Sequence, residues 1–202
     1  VKKLVPIVWV AITVAFFLSC ASSRITSSWK DENYSGGPID RVLVMGISDE
    51  THNRRIFEDV FVKEFNAAGV EALASYSIFP GGREIEAAEI KAAARERNID
   101  KVLMTHLVGV EKKEVYHPPV STPAYAYTYG NYYHRIYHYT HQPGYTTQHE
   151  YVKLETGLYD ADTEKLIWSA ATETLDPENL AKAVAGLSAV IFKNLRESGL
   201  LQ

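Results

Sequence analysis

The phrase IDRVLVM at residues 39–45 returns sixty residues later, nearly unchanged, as IDKVLMT at 99–105. Each starts with an apolar–polar step and runs on as an almost unbroken apolar stretch. A strand with one wet face alternates polar and apolar residues, so an unbroken run marks a strand covered on both faces. That requires helices above and below a sheet whose central strands are parallel. The intervening chain supplies the crossovers. RVLVMGI (41–47) precedes a helical pattern with Ile56, Phe57, Val60, Phe61 and Phe65 on one face, Asp49 and Thr51 as N-cap candidates, and Gly69 as its stop. VEALASYSI (70–78) reads as a second strand. A Pro-Gly-Gly turn and an Ala/Glu-rich helix over about 84–97, with Ile85, Ala88 and Ala92 inward, lead to the third strand, KVLMTHLVGV (101–110).

The carboxyl-terminal part changes character. EYVKLETGLYDADTEKLIWSAATETL (150–175) alternates apolar and polar residues on both sides of DADTEK, a hairpin signal. A last helix follows, with Asp176 as N-cap, Pro177 at its first position and Glu178 in its first turn. Its apolar stripe is Leu180, Val184, Leu187, Ile191 and Leu195, closed by Gly199. The expected fold is α/β with α+β character: β-α-β-α-β, then a β-hairpin and a C-terminal helix, a mixed sheet packed with helices over residues 39–202.

The chain has a single cysteine, Cys20, preceded by VKKLVPIVWVAITVAFFLS. Lys2 and Lys3 form a positive entry, and the apolar run Leu4 to Leu18 is shorter than the ~20 residues a membrane-spanning helix needs. It suits the apolar core of a secretory signal peptide. Ser19 before Cys20 resembles a bacterial lipobox, although Phe17 and Leu18 replace the usual residues further upstream. On this reading residues 1–19 are a lipoprotein signal peptide and Cys20 is the lipidation site. Ala21, in place of an aspartate, implies sorting to the outer membrane, with the domain on the periplasmic side. Residues 20–38, polar and rich in Ser and Gly, read as a flexible tether.

The segments RVLVMGISDETHNRRIFEDVFVKEF (41–65), IDKVLMTHLV (99–108) and LYDADTEKLIWSA (158–170) resemble a family of uncharacterised proteobacterial lipoproteins, over most of residues 39–200. More remotely, the element order is similar to the periplasmic α/β domain of the curli-secretion lipoprotein. It is similar also to the lipoproteins that activate penicillin-binding proteins and to the amino-terminal domain of the Tol–Pal propeller protein. The resemblance implies contacts with other envelope proteins; peptidoglycan is a candidate partner on the tyrosine content of residues 116–149 alone. It brings no catalytic residues.

Chemistry in the sequence is sparse. There is no G-x-S-x-G elbow, Walker loop, H-E-x-x-H or C-x-x-C, and no G-x-G-x-x-G after the first strand. A lipidated Cys20 has no thiol to act as nucleophile. The net charge of -4, with no Lys/Arg stripe, argues against nucleic acid as a partner. The expectation is therefore a protein that is not an enzyme. SDETHNRR (48–55) gathers Asp49, Glu50, His52, Arg54 and Arg55 at the carboxyl end of a strand, where α/β sheets place ligands, but helix capping with a solvated first turn is the plainer account. PGGR (80–83) offers backbone N–H groups to an anion or is a plain turn. His106, in an apolar strand, reads as a core histidine. Asp160 and Asp162 are too few ligands for calcium.

Residues 116–149 are unlike the rest. They hold nine of the thirteen tyrosines, five of the seven histidines and one charge, Arg135. The segment is too long for an ordinary connection and reads as an insertion at the same sheet end as SDETHNRR and PGGR. Three readings stand. It is an adhesive arm in which Tyr125, Tyr127, Tyr129, Tyr132, Tyr133, Tyr137 and Tyr139 contact a partner. Alternatively it makes the chain a periplasmic metal-binding protein, with His134, His138 and His141 at i, i+4, i+7 spacing for Zn, Cu or Ni. Or it is a low-complexity loop. The first implies no cofactor.

Overall fold

Alternate residues of one strand serve two separate cores. In the computed structural model, which describes residues 23–81, 83–118, 144–177 and 179–202, strand β2 (Arg41–Ile47) sends Val42 and Val44 to one face and Leu43 and Met45 to the other. All but Met45 have no exposed surface, and Met45 very little. The unbroken apolar run is thereby explained.

Six strands form one mixed sheet in the order β1-β6-β5-β4-β2-β3. β2 pairs in parallel with β3 (Glu71–Ala74) and with β4 (Lys101–His117). β4 pairs antiparallel with β5 (Tyr145–Asp160), β5 with β6 (Leu166–Leu175), and β6 with β1 (Ser23–Lys30). Helices α1 (Thr51–Ala67) and α3 (Leu180–Glu197) cover one face, and α2 (Ala87–Glu96) covers the β2–β4 part of the other. The two repeated phrases are thus neighbouring parallel strands, in register from Val42 against Lys101 to Ile47 against His106.

The larger core is aromatic. Phe57 stacks on Phe61 at 4.3 Å between ring centroids, and Phe192 of α3 lies 4.5 Å from Phe65 and 5.9 Å from Phe61. Phe61 and Phe65 are fully buried, each worth about 1.5–3 kcal/mol of transfer free energy. Trp168 of β6 is also sealed, and its indole Nε1 donates to Asn194 Oδ1 of α3 (2.9 Å), so the buried donor is satisfied.

The element order from β2 to α3 follows the sequence expectation, with corrections. Residues 20–38 are not a leash throughout: Ser23–Lys30 is an edge strand, held by its ladder to β6 and by Ile25 packing on the core. The second strand stops at Ala74, where Ser75–Ser77 winds into a 3-10 turn. Neither Asp49 nor Thr51 caps α1; Glu50 holds the N-cap position, without its side chain accepting a backbone N–H of the first turn. Ala88 and Ala92 are exposed, and Ala93 and Ala94 are the buried pair of α2, because an alanine-rich helix has no distinct apolar face to read. Asn179, not Asp176, caps α3, accepting from Lys182 N at 2.9 Å. Gly69 and Gly199 end α1 and α3 in the left-handed region (φ 82° and 69°), as expected of glycine stops.

Candidate functional site

The carboxyl end of β2 is where the polar residues gather. Gly46 lies against the ring of Phe57 so closely that a Cβ there would meet its Cδ1 at 3.0 Å. This lets α1 start directly beneath the strand end. Ser48–Glu50 then turn the chain into α1, with Glu50 N donating to Ser48 Oγ (3.2 Å) and Asn53 Nδ2 to Glu50 Oε2 (2.7 Å).

Arg54, taken from sequence as part of a solvated first turn, points inward. Its Nε donates to Glu58 Oε1 (2.9 Å), one Nη to the Gly81 carbonyl (2.8 Å), and the other to Ser75 Oγ (2.7 Å) and the Phe79 carbonyl. Glu58 is fully buried and also accepts from Gly46 N (3.0 Å), Ser75 Oγ (2.6 Å) and Tyr76 N (2.9 Å). The cluster ties β2, α1, the 3-10 turn and the Pro-Gly-Gly loop together. No buried side-chain nitrogen or oxygen in it lacks a partner, as a network that holds shape requires. Beside it, the Tyr76 hydroxyl donates to Asp59 Oδ1 (2.5 Å). That bond to a carboxylate pushes the Tyr76 phenol above its ordinary pKa.

A cleft opens on each face at this strand end. One, of about 640 Å³, runs between the α1 start, the sheet and the first turn of α3. Its walls are Ile47, Phe57, Leu107, Val110, Leu154, Leu180 and Val184, with Asp49, Asn53 and His106 at the edge and the buried Thr105 beneath. Ile47 and Leu107 are 59% and 52% exposed, unusually open for their size. The other, of about 550 Å³, lies under α2 and is lined by Met45, Met104, Ile85 and Ile90, with Arg83 and Glu84 at its mouth.

The remaining sequence candidates fall out as follows. In the PGGR loop the Gly81 carbonyl accepts from Arg54, and Arg83 pairs with Glu89 in the first turn of α2. That salt bridge holds the Glu89 carboxyl below its ordinary pKa and so keeps a negative charge at the helix start. Asp160 caps its own turn, accepting from Asp162 N, Thr163 N and Thr163 Oγ1 (3.2, 2.8 and 2.8 Å). His106 is no core histidine. It faces solvent beside Glu155 (3.8 Å). Cys20, the tyrosines Tyr125, Tyr127, Tyr129, Tyr132, Tyr133, Tyr137 and Tyr139, and the histidines His134, His138 and His141 lie outside the described residues. Among the described residues no group of three His, Cys, Asp or Glu side chains is placed to hold a metal, and no helix is long and apolar enough to cross a membrane.

The two ends of the 116–149 insertion are described, and they are strands. β4 runs on to His117 and β5 begins at Tyr145, paired throughout. β6 stops at Leu175, opposite Tyr151, so the pairs from Lys112–Glu150 to His117–Tyr145 leave the sheet as a two-stranded arm. β4 carries a bulge at Leu107–Gly109, shortly before the arm. At its root, Asp176 accepts from Glu150 N (2.6 Å) and bonds His149 Nδ1 (2.5 Å). Those bonds hold the Asp176 carboxyl below its ordinary pKa. At its end the rings of His117 and Tyr145 stack 4.8 Å apart.

Sequence reasoning missed Glu58 and Ser75. The signal available was Arg54 and Glu58 four apart on a helix whose apolar face is Phe57, Phe61 and Phe65, a spacing that lets an ion pair run beside a core stripe.

The described residues define a mixed α/β protein: a six-stranded sheet with helices on both faces and a two-stranded arm. No protein-family model and no curated protein matches the sequence. Among solved structures it is similar to the PelC dodecamer from Paraburkholderia phytofirmans (12% identity, 87% of this chain and 97% of that chain, TM-score 0.45). It is similar to lipoprotein GNA1162 from Neisseria meningitidis (10%, 78% and 99%, 0.41). It is similar also to a neuraminyllactose-binding hemagglutinin homolog from Helicobacter pylori (9%, 85% and 94%, 0.39). With TM-scores below 0.5, these likenesses leave the fold description resting on the strand pairings of this chain.

Proposed function

We propose that this chain is a lipoprotein acylated at Cys20, held in the outer membrane on its periplasmic side, and that it acts without catalysis as a binding or assembly module. Its partner is another envelope component, a protein or peptidoglycan. The observation that carries the binding role is the open cleft between α1, the sheet and α3. Ile47, Leu107, Val110 and Leu180 line it, and each is more than a third exposed. An apolar floor of this kind with a polar edge of Asp49 and Asn53 suits an extended or helical peptide segment.

The test is a photo-crosslinking residue placed at Leu107 in the full chain, in cells. A defined adduct that disappears when Leu180→Glu puts a charge in the cleft supports the reading. No adduct, or one indifferent to that charge, defeats it. The anchor is tested separately: Cys20→Ser should move the protein from the membrane fraction to the soluble fraction.

A further inference from the structure

The strand register fixes how far each part of the molecule stands from the anchor. Ser23, the first residue of β1, lies in one row with Thr174 of β6, Val152 of β5 and Val110 of β4. The amino end of β1 points toward the arm, since β1 and β5 both run antiparallel to β6. Cys20 is three residues away, a span of at most ~11 Å even when fully extended. From the row of Ser23 to His117, at the described end of the arm, β4 advances seven residues beyond Val110, roughly 24 Å of strand. That distance is about twice the link between domain and anchor.

The chemistry of the arm changes along its length. Its root is charged: Glu111, Lys112, Lys113, Glu114 and Glu150, with Lys153 bonded to Glu111 at 2.6 Å. From Val115 round to Thr147 the sequence carries one charge, Arg135. The described end sets aromatic and apolar side chains among uncharged threonines, with Tyr116 and Tyr145 64% and 60% exposed and Val115 open beside them. Tyrosine is the residue type of the bilayer interface, where its ring meets acyl chain and its hydroxyl meets headgroup, and lysines just outside suit the headgroup layer.

We infer that the end of the β4–β5 arm, with Val115, Tyr116 and Tyr145, is a second membrane contact that lies in the lipid interface beside the acyl anchor. This rests on the acylation of Cys20 proposed above. An anchor drawn to within ~11 Å of the row of Ser23 leaves the longer arm no room to stand in water along the same direction. The arm therefore fixes the orientation of the domain, and the cleft floor, in the rows next to Val110, opens just above the bilayer.

Cys20 is the sole cysteine, so an acylated chain accepts a spin label only at an introduced thiol. The full chain, processed in cells and reconstituted in phosphatidylethanolamine–phosphatidylglycerol vesicles, is labelled at Tyr116→Cys, at Val115→Cys, and at Asp162→Cys on the opposite sheet end. The expected result is that labels at 115 and 116 relax faster with oxygen than with a water-soluble nickel complex, and that the label at 162 does the reverse. Labels at 115 and 116 as open to nickel as the one at 162 overturn the inference. Labels closed to both reagents place the tip against protein and overturn it too. Mass spectrometry of Cys20 on the same samples separates the two readings. An acylated cysteine with an aqueous tip defeats the inference alone, whereas an unmodified cysteine defeats the anchor and the inference together.

Discussion

Arg54 and Glu58 form an ion pair of 2.9 Å in which neither side chain is more than 7% exposed. A charge pair removed from water this fully stays folded only when every remaining donor and acceptor is met, and here Ser75, Tyr76, Gly46, Phe79 and Gly81 meet them. Removing one partner leaves the other charge buried alone. Glu58→Leu is expected to cost about 3–5 kcal/mol in denaturant unfolding. The double variant Arg54→Met/Glu58→Leu should be less destabilised than Glu58→Leu. A single variant costing under about 1 kcal/mol, the range of exposed pairs, would show that the pair is solvated in solution.

Asp176 gives the arm root a pH dependence with a definite sign. Its carboxyl is depressed in the fold by the Glu150 N–H and by His149, so the stabilisation is present above the ordinary aspartate range and lost as pH falls through the folded value. Asp176→Asn should lower Tm at neutral pH. The gap to the unaltered protein should close below about pH 4. Asparagine tolerates the positive φ of 42° at this position, so backbone strain does not confuse the comparison. A gap independent of pH would assign the effect to something other than the carboxylate.

Replacing residues 23–30 by a Gly/Ser stretch distinguishes strand from tether. Loss of β1 leaves the edge of β6 unpaired and uncovers the core beside Ile25. The expected outcome is a lower unfolding midpoint together with self-association in sedimentation. Unchanged midpoint and a monomer would return these residues to the role of a leash.

Asn194→Ala strips the indole of Trp168 of its acceptor inside the core. An unmet buried donor costs about 1–3 kcal/mol. Trp168→Phe, which removes the donor as well, should recover part of that when combined with Asn194→Ala in a double-mutant cycle. Additive single effects would mean that the bond contributes nothing.

What the sequence disclosed, and what it hid, follow from burial. β2, β4 and the face of α1 were legible because their apolar runs mirror two covered faces or one covered stripe. β1 was not: in SRITSSWK only Ser23 is buried, and the strand depends on backbone pairing, which leaves no mark in side-chain polarity. The arm was hidden for the same reason, since EKKEVYH is wet on both sides. The cap of α3 moved from Asp176 to Asn179 because the Asp176 carboxylate is taken by β5, a competition set by tertiary structure. The cleft was half legible: its SDETHNRR rim stood out, but Leu180 and Leu107 enter from elements more than fifty residues away in sequence.

The pairing of β1 with β6 also orders events in time. Ser23 bonds Thr174 across 151 residues of chain, the first strand waiting on the last. A polypeptide delivered amino end first can assemble β2, α1, β3, α2 and β4 before its carboxyl end arrives, but its β1–β6 ladder cannot close until Thr174 has emerged. Contacts so distant in sequence slow folding and leave an open edge exposed meanwhile. For this molecule the vulnerable interval is the end of that delivery, when the segment next to Cys20 in sequence is still to be joined to the body of the protein.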